Sequence, residues 1–243
     1  MSRIIFEQFV DSETSTYTFL IADPKSRDAA LVDSVRENVD VYKKRIDELG
    51  LNLKYLLETH VHADHVTGNG LLQDAFPNAQ VGLSAKANVK FPHIALDDNS
   101  VLMVGDIEIK TFFTPGHTSE SITFLVDGNR LLTGDTMFIG SCGRTDFQAG
   151  DSKLMYKSLK RLASLPAETL VYPGHDYNKR WVSSIAEQLA TNKLLTMSEA
   201  EFIAELDSWK LPPPRKIKES VPANLLNGRN PAETRSAAAE AQA

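Results

Sequence analysis

An α/β fold of two mixed sheets covered by helices is what this 243-residue sequence predicts. Three observations carry that expectation. Short apolar runs bounded by Gly, Pro, Asn and Asp recur along the chain and read as strands. Stretches with apolar residues at helical spacing fall between them. The order is strands, a helix, more strands and then strand–helix alternation, without a repeat or a long linker. That order suits mixed sheets better than a purely parallel one.

Ile4 to Val10 and Tyr17 to Ile21 read as the first two strands, with the polar Asp11-Ser-Glu-Thr-Ser15 turning between them, and Ala29 to Val32 as a third. Val39, Tyr42, Ile46 and Leu49 then share one helical face, and Gly50 stands where a C-terminal cap belongs. Leu53 to Leu57 is a strand running straight into a histidine cluster. Leu71, Leu72, Ala75 and Phe76 predict a short helix ending near Pro77, and Val81 to Leu83 another strand. From Val101 to Leu132 strands dominate. Ile107, Ile109, Thr111 and Phe113 alternate with Glu108, Lys110 and Phe112, and Asp127-Gly-Asn129 turns Ser121–Val126 into Arg130–Thr133 as a hairpin.

A long loop over Thr136 to Gly150 follows. Ser152 can cap a helix whose Met155, Leu159 and Leu162 share a face. Leu170 to Tyr172 is the last strand and Arg180 to Leu194 a helix. Ser198-Glu-Ala-Glu201 is a capping box opening another helix, and Leu211-Pro-Pro-Pro214 cannot continue one. The expected organisation is a single domain over residues 1–243. Within it, 180–230 form a C-terminal helical or irregular extension and 231–243 a frayed tail.

Hydrophobic residues at 42% and charged residues at 24% give the balance of an ordinary soluble globular protein. The lone Cys142 excludes a disulfide framework and any cysteine-rich zinc or iron–sulfur site. Thirty-two acidic against 26 basic residues leave a charge of −6, which disfavours nucleic acid as a partner. The opening Met1-Ser-Arg-Ile-Ile-Phe-Glu-Gln-Phe-Val10 is too short and too soon charged for a secretory signal. No run approaches the roughly 18 apolar residues of a membrane span. The expectation is a soluble, cytoplasmic protein with no membrane partner.

The chemistry lies in the histidines. Three of six fall in Thr59-His60-Val-His62-Ala-Asp64-His65, with His117 in Pro115-Gly-His-Thr118 and His175 in Tyr172-Pro-Gly-His-Asp-Tyr177. Asp135 lies in Thr133-Gly-Asp-Thr136. The apolar runs Leu53–Leu57, Lys110–Phe113, Arg130–Thr133 and Leu170–Tyr172 each end just before one of these residues. Side-by-side strands would therefore converge them, and imidazole with carboxylate is the ligand set of zinc, iron or manganese. His93, beside Phe91 and Pro92, reads as a surface or capping histidine.

With His60 to His65 as His-x-His-x-Asp-His, and with the later His117, Asp135 and His175, the chain resembles the metallo-β-lactamase-fold superfamily. The resemblance covers residues 1 to about 180. It implies a four-layer αββα sandwich with the site along one edge of the sheets. Position 62 is histidine, so the glutamate-containing form of the flavodiiron proteins is absent.

Two readings fit the ligand inventory. One holds two metals, with His60, His62 and His117 on the first, Asp64, His65 and His175 on the second, and Asp135 bridging. A metal-bound hydroxide then attacks a thioester, as in glyoxalase II. The other holds one metal by His60, His117 and Asp135, the two-histidine, one-carboxylate face of non-haem Fe(II) oxygenases.

Finer residues resemble the persulfide dioxygenases of sulfide oxidation: Thr59–Gly68, Gly140-Ser-Cys-Gly-Arg-Thr-Asp-Phe-Gln148, Tyr172–Tyr177 and Val221-Pro-Ala-Asn224. The Asn-Pro-Phe of glyoxalase II is missing, since Asn230-Pro231 precedes alanine. This resemblance implies one Fe(II) per chain, glutathione persulfide and O₂ as substrates, and sulfite and glutathione as products. His62, Asp64, His65, His175 and Tyr177 would then orient ligands and substrate.

Arg144 is the best candidate for a glutathione carboxylate, against a structural pair with Asp146. Cys142 in the same loop reads as small filler rather than a catalytic thiol, although it stands near enough to touch substrate. Arg215, Lys216 and Lys218 form a basic cluster suited to an anionic tripeptide or to solvent. The chain ends too early for a fused rhodanese domain, so a rhodanese-type sulfurtransferase would be a separate partner. A homodimer is compatible with the resembled family.

Overall fold

Residues 4–230, which the computed structural model describes, form two six-stranded sheets packed face to face. The first runs in sequence order: β1 (Ile5–Val10), β2 (Tyr17–Ala22), β3 (Asp28–Val32), β4 (Asn52–Leu57), β5 (Gln80–Ser84) and β6 (Ile94–Leu96). Its first two pairings are antiparallel and the rest parallel. The second comprises β7 (Val101–Val104), β8 (Ile107–Phe113), β9 (Ile122–Val126), β10 (Arg130–Gly134), β13 (Leu170–Pro173) and β14 (Ser183–Ser184). Its order is β14-β13-β10-β9-β8-β7. Only β10 and β13 pair in parallel there. Both sheets are mixed, as the sequence predicts.

A parallel pair needs a crossover, which usually places a helix on the sheet face. Helix α1 (Val39–Glu48) links β3 to β4, α2 (Asn69–Ala75) links β4 to β5, and α3 (Ser152–Ala163) links β10 to β13. Strand β2 shows the consequence for sequence. Tyr17, Phe19 and Ile21 point into the core between the sheets, with Ile109, Phe124 and Leu132 opposite. Leu20 packs outward on Val39, Tyr42 and Ile46 of α1. Both faces are covered, so the strand is apolar throughout rather than alternating. On the other side, Leu131 and Val171 meet Met155, Leu159 and Leu162 of α3, together with Phe202 and Leu206 of α5 (Glu199–Ser208). The result is the expected αββα sandwich.

The β9–β10 hairpin turns on Asp127 and Gly128, both at positive φ (49° and 68°), the conformation a two-residue turn of this hand requires. The capping box at Ser198 is present in full. Other elements differ from expectation. The loop 136–150 contains a ladder of β11 (Met137–Phe138) and β12 (Ser141–Cys142). Asp151, not Ser152, caps α3, because its carboxylate accepts the Leu154 N–H at 2.8 Å. The helix expected over 180–194 shrinks to α4 (Ile185–Thr191), since Ser183 and Ser184 pair with β13 instead.

Strand β6 is too short to stand out in the sequence. Helix α6 (Ile217–Asn224) forms despite Pro222 within it. Among the described residues no helix is long and apolar enough to cross a membrane. The tail 231–243 lies outside the described residues.

Candidate metal centre

The C-terminal ends of β4, β8, β10 and β13 deliver the metal-capable residues, as their apolar runs predict. Parallel pairing sets Gly134 beside Pro173, so Asp135, one residue on, and His175, two residues on, come together, with His175 Nε2 3.5 Å from Asp135 Oδ1. The Ile122 N–H donates to the Thr59 carbonyl at 2.8 Å and ties the end of β4 to the second sheet. Gly174 links the loops further, donating to the Gly134 carbonyl and accepting from the Tyr17 N–H.

His60, His117 and Asp135 bring one ligand atom each within 4.8 Å of one another. The rings of His60 and His117 meet edge-on at 4.9 Å, and His117 Nε2 is 3.6 Å from Asp135 Oδ2. Their tautomers follow from their neighbours. His117 Nδ1 lies 2.7 Å from the Arg144 carbonyl, which only accepts, so Nδ1 carries the proton. The Thr59 hydroxyl donates to Asp33 Oδ2 at 2.9 Å and therefore accepts from His60 Nδ1 at 3.0 Å. In the neutral ring this leaves the lone pair of each histidine on Nε2.

Burial, reinforced by the neighbouring imidazoles, holds His60 well below the usual imidazole range. A neutral ring is the metal-binding form. Asp135 Oδ1 is buried without a hydrogen-bond partner among the described residues, with His175 Nε2 at 3.5 Å. Two free imidazole nitrogens and an orphaned carboxylate oxygen fit a divalent metal.

A second set, His62, Asp64 and His65, also clusters within 4.8 Å. It is differently engaged. Asp64 Oδ2 accepts from the Thr16 hydroxyl at 3.0 Å and from His65 Nδ1 at 3.1 Å, with His175 Nε2 at 3.5 Å. Burial pushes the Asp64 carboxyl up, but the facing histidines prevail and hold it well below the carboxylate range. His62 Nε2 lies between Asp33 Oδ1 at 3.2 Å and Glu58 Oε2 at 3.0 Å. Burial pulls His62 down, yet those two carboxylates carry it well above the usual imidazole range. His62 Nδ1 and His65 Nε2 are buried without hydrogen-bond partners among the described residues.

His117 and Asp135 open into a cavity of about 740 Å³ walled by Phe138, Ile139, Tyr177, Trp209 and Leu211. Tyr177 stacks parallel to His175 at 6.1 Å, and burial of its hydroxyl raises the phenol to about 12. Of the two readings for the Arg144 guanidinium, a substrate anion or a pair with Asp146, the pair is the one formed. The guanidinium forks onto Asp146 at 2.6 and 2.7 Å and donates to the carbonyls of Pro212 and Leu211. Its work is to pin the proline-rich wall of the cavity. Arg215 is exposed and Lys216 pairs with Glu13 at 2.9 Å; neither lines the cavity.

Cys142 lines the cavity but is 3% exposed, and burial pushes its thiol up to about 12. At pH 8 only about one thiol in 10,000 is then a thiolate, the form that reacts. Iodoacetamide should label native Cys142 roughly a thousandfold more slowly than in the unfolded chain, gaining about tenfold per pH unit. Stoichiometric labelling of the folded protein within minutes at pH 8, seen by mass spectrometry, would contradict this.

Sequence reasoning misses Asp33, Glu58, Thr59 and Thr16. For Asp33 and Glu58 a signal exists, because each carboxylate directly follows an apolar strand, as Asp135 nearly does.

The sequence profile of the metallo-beta-lactamase superfamily matches residues 12–175. The chain is 38% identical over 228 residues to the Bos taurus protein named persulfide dioxygenase ETHE1, mitochondrial, covering 93% of this chain and 89% of that one. It is also 38% identical to a hydroxyacylglutathione hydrolase of Prochlorococcus marinus, but over 192 residues, 75% of this chain and 76% of that one. Among solved structures, ETHE1 from Myxococcus xanthus superposes with a TM-score of 0.90 at 43% identity, covering 93% of this chain and 100% of that chain.

Proposed function

We propose, from the premise that this chain belongs to the metallo-beta-lactamase superfamily and within it to the persulfide dioxygenases, that it oxidises glutathione persulfide. The reaction takes glutathione persulfide, O₂ and water to glutathione, sulfite and two protons. The observation that carries this reading is the triad itself. His60, His117 and Asp135 combine two deprotonated Nε2 atoms with one carboxylate, and the neighbouring acid Asp64 is occupied by Thr16 and His65. Those three residues would hold one Fe(II), which when bound supplies open coordination positions and redox chemistry for a persulfide anion and O₂.

The protein's own part is orientation. The Arg144 carbonyl and the Asp33–Thr59 pair fix the ligand rings against rotation. His175 Nε2 stands 3.5 Å from both Asp64 Oδ2 and Asp135 Oδ1, where a proton can be held between the two carboxylates. The Tyr177 hydroxyl at the mouth stays protonated at working pH and can donate to an anionic substrate. Phe138, Ile139, Trp209 and Leu211 limit water around the terminal sulfur. A single domain, a cytoplasmic setting, a homodimer and a separate rhodanese-type sulfurtransferase as partner belong to the same reading.

The unpartnered His62 Nδ1 and His65 Nε2 favour a second reading, a two-metal thioester hydrolase like glyoxalase II. Anaerobic purification with metal analysis, followed by an oxygen-electrode assay with glutathione persulfide, separates the two. About one iron per chain with O₂ uptake is expected. Close to two metals per chain with cleavage of S-lactoylglutathione would overturn the dioxygenase.

A further inference from the structure

The motif Val221-Pro-Ala-Asn224 has no part in the triad or in the cavity wall. It closes α6, and Asn224 is buried against the histidine turn, 6% exposed. Its Nδ2 donates to the carbonyls of His62 and His65, both at 2.9 Å, and its Oδ1 accepts the Thr67 N–H at 2.8 Å. Residues 60–66 form neither helix nor strand. A turn of that kind leaves buried carbonyls that no ladder satisfies, and each must find a donor. One side-chain amide here answers three backbone groups.

The amide is itself held in place. The Lys90 N–H donates to the Leu225 carbonyl at 2.9 Å, and Arg36 Nη1 to the Gly228 carbonyl at 2.8 Å. Asn227 Nδ2 donates to Gln73 Oε1 at 3.1 Å. At Gly228 a Cβ would stand 2.1 Å from the Thr67 carbonyl oxygen, so the two segments touch backbone to backbone.

We propose that Asn224 is a positioning residue of the metal turn. By holding the carbonyls of His62 and His65 it sets where the side chains of His62, Asp64 and His65 project beside the triad. It also steadies the backbone that carries His60. The direction of a Cα–Cβ bond is fixed by its own backbone, so loosening these carbonyls swings three polar groups at once. A misplacement of about 1 Å costs on the order of a hundredfold in rate. The activity part of this inference rests on the dioxygenase reading; the geometric part does not.

The test compares iron-loaded Asn224→Ala and Asn224→Asp with Ser220→Ala. Asp keeps the acceptor for Thr67 but turns both donors into acceptors facing carbonyls. Ser220 is buried in the same helix, with no hydrogen-bond partner among the described residues, and serves as control. Three readouts are taken: kcat against KM with glutathione persulfide, the EPR spectrum of the nitric oxide adduct, and hydrogen exchange over residues 60–67.

Both Asn224 variants should lose about 10- to 100-fold in kcat with KM little changed. Their nitrosyl spectrum should shift, and exchange over the turn should run at least about fivefold faster. Ser220→Ala should match the wild type on all three. If Asn224→Ala fails to fold, Asn224→Asp decides. Wild-type kcat, spectrum and exchange in Asn224→Asp would overturn the proposal, as would equal losses in Ser220→Ala. A wild-type protein that takes up no O₂ would sink the dioxygenase reading instead, while exchange and the nitrosyl spectrum still test Asn224.

Discussion

Asp135→Ala should lose iron and O₂ uptake together while keeping the fold. Asp135 is the one carboxylate of the triad, and its Oδ1 is buried with no hydrogen-bond partner among the described residues. Removing it leaves two neutral imidazoles, which supply no anionic charge against a divalent ion. Loss of a residue that merely orients a ligand costs roughly 10- to 100-fold in affinity or activity, and loss of the ligand itself should exceed about a thousandfold. The backbone survives because the Gly143 N–H bonds to the Asp135 carbonyl, at 3.1 Å, rather than to the side chain. Metal analysis, oxygen uptake and circular dichroism on one preparation check this. An alanine variant that still carries about one iron per chain would mean that the triad is not the site.

The second large effect is expected at Gly143, which touches two of the proposed ligands at once. A Cβ there would lie 2.1 Å from the Asp135 carbonyl oxygen, and 3.1 Å from both the Asp135 carbonyl carbon and His117 Nδ1. The nearest obstacle is backbone, so no rotamer change relieves it. Gly143→Ala must push the loop after β12 away from the loop after β10, and with it the Arg144 carbonyl that orients His117. Overpacking of this kind costs about 1–3 kcal/mol of stability. Iron affinity should fall by roughly 10- to 100-fold, within the range for disturbed ligand orientation. Urea unfolding midpoints and chelator competition measure the two separately. Wild-type values in both would show that the loops have slack that this packing denies them.

Much of the site is legible along the chain because strand ends announce it. The runs 53–57, 110–113, 130–133 and 170–172 are mostly apolar for a reason visible locally, since the side chains that a strand turns into the core must be. The polar residues that interrupt them then mark where the backbone leaves the core. His60, His117, Asp135 and His175 stand at those exits. Errors occur where local signals compete. Ser152 is as good a cap as Asp151 by residue type, and only the carboxylate's bond to the Leu154 N–H separates them. Helical spacing continues through 180–184, but pairing with β13 ties that backbone into a sheet. Pro222 argues against a helix that tertiary contacts nevertheless form.

The sequence by itself determined the sheet-and-helix order, the metal-capable residues and the family, because these rest on periodicity and on residue chemistry near one another in the chain. Only the tertiary structure decided which side chains are already engaged. Arg144 is occupied by Asp146 and by carbonyls 67 and 68 residues away, His62 is flanked by Asp33 and Glu58, and Asn224 binds a turn some 160 residues earlier. A hydrogen bond reaches about 3 Å and depends on angle, so its partner is chosen by folded geometry and not by position in the chain.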